Sequence, residues 1–255
     1  MVAGGRAHQS GSSLGQGANS TTPRVSCTRG NGYNDVVCSQ VFAGVAMMGE
    51  IVRRGTFGRK ENNLFSGGAN CDLNACVGRN GGPADFGRYA QGYFEAGERL
   101  VRSLRRDHYG IDGLIYPLVM IYRHGVEAML KQLAVMSSVL VEKKREVHFT
   151  HKLTDNWAVL RRCLPQLDVP QQDIDGADAI IEDLIEIDPN GESFRYPISG
   201  KGNLHLEDWS LINVSVFSKG MTRLTDFLNN CYWYLADMSY ARADIEHAID
   251  FECGW

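Results

Sequence analysis

The chain has 255 residues, seven cysteines and a formal net charge of −4. That length admits one large domain or two small ones around a sizeable core. The slightly acidic balance excludes a global basic field for nucleic acid, so any RNA contact must be a local patch.

The cysteines (Cys27, Cys38, Cys71, Cys76, Cys163, Cys231 and Cys253) are scattered and form no CxxC pair. They read as reduced thiols rather than as zinc ligands or a disulfide framework. No apolar run approaches the roughly 18 residues that a membrane helix needs. The N-terminus lacks the charged-then-apolar layout of a secretory signal, so the expected compartment is the cytoplasm, with no membrane partner.

In chain order, residues 1–32 are rich in Gly, Ser, Thr, Asn and Gln and predict a disordered tail, because they can bury too little to offset the entropy of ordering. Residues 33–54 predict a helix, with Val37, Val41, Val45 and Met48 at helical spacing. Residues 55–83 carry Gly67–Gly68 and Gly81–Gly82–Pro83 and predict a linker, so 33–84 is a helix plus loop-rich linker.

From Asp85 an apolar stripe begins at period 3.6: Phe86, Tyr89, Ala90, Tyr93, Phe94, Gly97, Leu100, Val101 and Leu104. Asp85 is its expected N-cap, and Arg99, Arg102, Arg105 and Arg106 load its C-terminal end. A second helix is expected over 117–141, with Pro117 in its first turn. Leu118, Ile121, Tyr122, Val126, Met129, Leu130, Leu133 and Met136 form its inward face.

A third helix is expected over 153–164 and a fourth over 173–187, stopped by Asp188–Pro189. Residues 190–207 predict an extended or hairpin segment. A final helix is expected over 209–237, continuing toward 249, with Ile212, Val216, Met221, Leu224, Phe227, Leu228 and Leu235 inward. The fold class is therefore mainly α, an up-down helical bundle over 85–255.

Three clusters could carry chemistry. Arg123, Glu127 and Lys131 stand at i, i+4 and i+8 and share one helix stripe, beside His124. Such a stripe is ordinarily a solvated salt-bridge ladder, but on a helix apolar over most of its circumference it is either half-buried in the bundle or lines a cleft. His148 and His151 lie near the start of the third helix; two histidines do not make a metal site, and a capping or packing role suits His151. Arg195, between Phe194 and Tyr196, can bind phosphate while stacking, or can pin its segment to the bundle by pairing with Glu127 or Asp155.

These pieces also carry a resemblance. YP-x4-YRH-x2-E-x3-K from Tyr116, then H-x-L at His151–Leu153, then DP-x4-FRYP from Asp188 resemble a group of bacterial helical proteins associated with HEPN domains. The resemblance covers about residues 85–240. It implies a helical bundle, often a homodimer, in toxin–antitoxin or phage-defence settings, with an antitoxin or defence protein as partner and no cofactor. Many members are metal-independent ribonucleases, while others bind nucleotides, RNA or proteins without catalysis.

The signature of such ribonucleases is Arg, four to six residues, then His. His would shuttle the proton of a ribose 2′-OH while Arg steadies the phosphorane charge. Arg102/His108, Arg145/His151 and Arg242/His247 match, against roughly one or two matches expected by chance. The expected catalytic residues are therefore Arg123, His124, Glu127, Lys131 and His151 in the helical core, with Arg242 and His247 near the C-terminus as rivals. Arg195 and Tyr196 are the expected substrate contacts. No metal ligand set is expected. The function expected is an RNA-directed effector, as a metal-independent ribonuclease or as a binding module for nucleotide, RNA or protein.

Overall fold

The computed structural model describes residues 64–78, 82 and 85–253, with 246–253 as helix backbone only. The tail 1–32 and the helix expected over 33–54 lie outside the described residues. Segment 64–78 is loop with one 3-10 turn, Cys71–Leu73, in which the Asn70 side chain accepts from the Asp72 amide at 3.1 Å. Five α-helices follow: α1 (Phe86–Arg106), α2 (Ile111–Glu142), α3 (Leu153–Cys163), α4 (Gln171–Ile187) and α5 (Val214–Cys253).

Asp85 caps α1 as expected, its Oδ1 accepting from the Arg88 amide at 2.8 Å. The start of α2 is a correction: it begins at Ile111, six residues before Pro117, after Gly110 in the left-handed region (φ 76°). Pro117 leaves the Gly113 carbonyl without its helical donor, but Gly113 is exposed and water can serve that oxygen. Ile111 and Ile115 pack against the core, and their burial carries the extra turns.

A second correction concerns α5, which starts at Val214 rather than at 209. The Asn213 side chain accepts from the amides of Ser215 and Val216, at 2.9 and 3.1 Å, and sets that start. Trp209 and Leu211 precede it and are exposed. Val216 and Tyr89, both expected inward, face solvent, and Ile212 lies before the helix.

α1 and α2 form a tight antiparallel pair across a four-residue turn. A Cβ at Gly97 would lie 2.6 Å from the Tyr122 ring, and one at Gly125 would lie 2.6 Å from Phe94. The two glycines therefore admit the close approach. Phe94, Tyr122 and Phe217 continue that contact into α5, with ring centroids 6.5 and 5.7 Å apart. Leu104, Leu118, Leu130, Leu160, Ile181 and Leu228 are among the fully buried side chains of the single core.

The link from α2 to α3 departs from simple up-down alternation. Lys143, in the left-handed region (φ 54°), ends α2, and residues 143–152 run back along it. His151 therefore meets Glu127 while Arg162 meets Glu142, so α3 runs parallel to α2. Ser138 holds the Glu146 amide at 3.0 Å, and buried Asn156 clamps the His148 backbone in both directions at 2.9 and 2.8 Å.

α4 returns beside α3, joined where Asp178 accepts from Trp157 and Arg161. The extended segment expected over 190–207 is present as one antiparallel bridge, Ile198 with Leu204, among the described residues. No described helix is long and apolar enough to cross a membrane. Cys71, Cys76, Cys163 and Cys231 are free thiols, and burial pushes Cys231 up to about 12.

Candidate functional site

The stripe on α2 is buried in the bundle rather than a solvated ladder. Arg123, Glu127 and Lys131 are buried, at 3%, 3% and 9% exposure. One Glu127 oxygen takes Arg123 Nη1 at 3.0 Å, and the other takes Lys131 Nζ at 2.7 Å and His151 Nδ1 at 3.1 Å. Arg123 spends its remaining donors on the chain around it. Its Nη2 donates to the His151 carbonyl at 2.7 Å, and its Nε faces the Asp188 carbonyl at 3.1 Å and the Asp188 carboxylate at 3.2 Å. Two cations and two anions thus balance inside the bundle, which is what makes their burial tolerable.

Arg123 joins three pieces of chain: α2, the return segment before α3 and the loop after α4. Asp188 completes the junction by accepting the amides of Glu192 and Ser193 on its other oxygen, at 2.8 and 3.0 Å. Gly191, with φ 76°, lets this loop pass against the guanidinium, since a Cβ there would stand 2.9 Å from Arg123 Nη1. Asp188 was expected as a helix stop and as the first residue of the DP-x4-FRYP motif, not as a partner of Arg123. The signal for its second role was an acid directly before Pro189 with Gly191 close behind, facing an Arg that needed a partner.

His151 presents a different aspect. Its side chain is 63% exposed, yet its Nδ1 is held by a carboxylate that is almost wholly buried. The histidine expected to cap or pack a helix start does neither, because α3 starts at Leu153 and the N-cap position is Lys152. The Nδ1 contact leaves Nε2 as the ring atom free to exchange a proton, the arrangement by which a carboxylate fixes the orientation of a catalytic imidazole.

His124 lies one residue past Arg123 on α2, about 100° round the helix, and is exposed. Its ring meets Tyr93 edge-on at 4.7 Å. Partial burial holds His124 below its usual value. The Glu127 carboxylate opposes this, and the charges of Lys131, Arg195 and His151 reinforce it. Burial alone would raise Glu127, but the hydrogen bond from Lys131 and the charges of Lys131, His151 and Arg123 outweigh it and hold the carboxyl below the usual range.

Arg195 does not make the pairing expected of it. Glu127 is saturated by Arg123, Lys131 and His151, and Asp155 accepts instead from Thr150 and Thr154, at 2.8 and 3.1 Å. The loop is pinned in the opposite sense, by Arg123 reaching out to Asp188. Arg195 donates to the Gly191 carbonyl and lies 5.9 Å from the Tyr196 ring centroid. Both side chains are exposed, and the Arg195 charge is felt at His124.

The rival signatures are placed elsewhere. Arg102 and His108 are exposed at the end of α1, and Arg145 is exposed in the return segment with no hydrogen bond to His151. Arg242 lies far along α5. Tyr232 packs at Gly87, where α1 begins, and ten further residues carry the helix roughly 15 Å beyond that level. The side chain of His247 lies outside the described residues.

The loop after α4 also walls a cleft of about 270 Å³, lined by residues that include Asp188, Glu192, His205, Glu207 and Trp209. His205 Nε2 is buried without a partner. None of the expected catalytic or substrate residues lines this cleft. Among the described residues no group of His, Cys, Asp or Glu has the arrangement to hold a metal ion. Compared with known proteins, the chain matches no family model, no curated protein and no solved structure.

Proposed function

We propose that the protein is an RNA-directed effector of HEPN type that cleaves the phosphodiester by acid–base catalysis at His151 and His124. The observation that carries this reading is the buried Glu127 carboxylate holding Nδ1 of an exposed His151 at 3.1 Å. A structural salt bridge needs no such solvent-facing imidazole, whereas a proton-transferring histidine needs both the fixed ring and the free Nε2.

His124, kept neutral near pH 7 by the lowering described above, takes the proton of the ribose 2′-OH. The 2′-oxygen attacks phosphorus, the bond to the 5′-oxygen breaks, and His151 delivers the proton to that leaving oxygen. The products are a 2′,3′-cyclic phosphate and a 5′-hydroxyl. Arg195, exposed and in no ion pair among the described residues, supplies the cation for the phosphate. Arg123 does not, because its donors are engaged inside the bundle. The toxin or defence setting, the homodimer and a dedicated partner protein enter this proposal through the motif resemblance alone.

A second reading, a module that binds RNA or nucleotide without cutting, is favoured by the same exposed Arg195 and Tyr196, which suit phosphate and base without chemistry. The test is cleavage of RNA in the presence of chelator, with product ends identified. The wild type is expected to leave 2′,3′-cyclic phosphates and to spare a strand with 2′-deoxy at the scissile position. His151→Ala and His124→Ala should each lose about 10²–10⁴-fold in rate. A wild type that leaves RNA intact, or variants that cut like it, would remove the catalytic reading.

A further inference from the structure

The expected nucleotide contacts are confined to Arg195 and Tyr196, but the structure sets a second exposed aromatic two residues before His151. Phe149 is 69% exposed and lies two residues before His151; Tyr196 is 57% exposed and follows Arg195. Single exposed aromatics are ordinary on a protein surface. These two differ because each rests against a neighbouring side chain and each is tied through neighbouring residues to the ion cluster.

The Phe149 ring leans on Phe86, with centroids 6.2 Å apart. Lys131 Nζ lies 6.0 Å from the Phe86 centroid and 2.7 Å from the carboxylate that holds His151. In the loop after α4, Tyr196 lies beneath the Arg195 guanidinium. The Arg195 and Tyr196 amides both donate to the Glu192 carbonyl, at 3.0 and 3.1 Å, in the loop that Asp188 ties to Arg123. Arg123 therefore fixes both aromatic carriers at once, since it also holds the His151 carbonyl.

We propose that Phe149 and Tyr196 are stacking platforms for two nucleobases on either side of the phosphate held at His124, His151 and Arg195. The proposal rests on the reading of that site as RNA-directed and specifies its substrate as a single strand with unstacked bases. A base inside a duplex has both faces covered by its neighbours and offers nothing to a protein ring, whereas a single strand does. With a net charge of −4 the protein has no general affinity for backbone phosphates, so the rings supply much of the binding.

Fluorescence anisotropy with labelled single-stranded DNA, single-stranded RNA and duplexes of the same sequence tests this. The DNA lacks a 2′-OH and reports binding apart from cleavage. Both single strands are expected to bind, with duplex at least about tenfold weaker. Phe149→Ala and Tyr196→Ala should each weaken binding by roughly 5- to 150-fold, while Phe149→Trp and Tyr196→Phe retain it. Because both rings are exposed, melting should be unchanged. Equal affinity for duplex, no binding by the wild type, or alanine variants that bind like the wild type would overturn the proposal. A wild type that binds single strands through these rings yet never cuts RNA would refute the catalysis and leave the platforms standing.

Discussion

At the scale of residues, one arginine organises the region. Arg123 is buried among four oxygen partners, so Arg123→Ala leaves Glu127 and Asp188 charged and short of a partner. We expect a loss of about 3–5 kcal/mol of stability, read as a lower denaturant midpoint. Gly191→Ala should destabilise by a related route, because it combines a left-handed backbone, costing about 1–2 kcal/mol, with a clash against that same guanidinium. Two groups at the site are lowered, as are Glu142 and Asp155, which hydrogen bonds from Arg162 and Thr150 hold below the usual range. Glu127 has its folded value below the ordinary 4.5, so its stabilisation is complete above 4.5 and fades as pH falls through the folded value. His124 is held below 6.5, so its contribution is complete above 6.5 and fades as pH falls through that lower folded value. The melting temperature should therefore decline in two stages on acidification, and Glu127→Gln should flatten the lower stage. An acid limb equally steep in Glu127→Gln would assign it to other carboxylates.

At the scale of elements, the crossing of α1 and α2 depends on side chains that are missing. Gly125→Ala places a methyl 2.6 Å from the Phe94 ring in a packed layer, and should cost about 1–3 kcal/mol in chemical denaturation with the helices intact by circular dichroism. Periodicity made the bodies of all five helices legible, and the Asp85 cap and the Asp188–Pro189 stop were legible as local chemistry. The starts of α2 and α5 were not. Pro117 looks like a first-turn proline, yet burial of Ile111 and Ile115 extends the helix past it. Asn213 outranks the apolar residues that precede it as a start signal. The site was half legible: the i, i+4, i+8 stripe put Arg123, Glu127 and Lys131 together, and the H-x-L motif marked His151. That Glu127 would hold His151 depends on residues 143–152 folding back along α2, a path that no spacing encodes. For the same reason the direction of pinning between Arg123 and Asp188 could not be read from Arg195.

At the scale of the whole molecule, a buried and neutralised ion cluster ties together segments that carry the exposed side chains of His124, His151, Arg195, Phe149 and Tyr196. Deep burial of Arg123 and Glu127 makes the cluster a structural device, and the proposed chemistry falls to the exposed His151, His124 and Arg195. The rival pair at the C-terminal end of α5 belongs to a different region, since Arg242 stands well past the start of α1. The most direct test compares RNA cleavage in chelator by the wild type, His151→Ala and His247→Ala, each verified as folded by its melting curve. The account predicts that the wild type and His247→Ala cut at similar rates and that His151→Ala is slower by at least about 100-fold. Cleavage undiminished in His151→Ala, or abolished in His247→Ala alone, would contradict it.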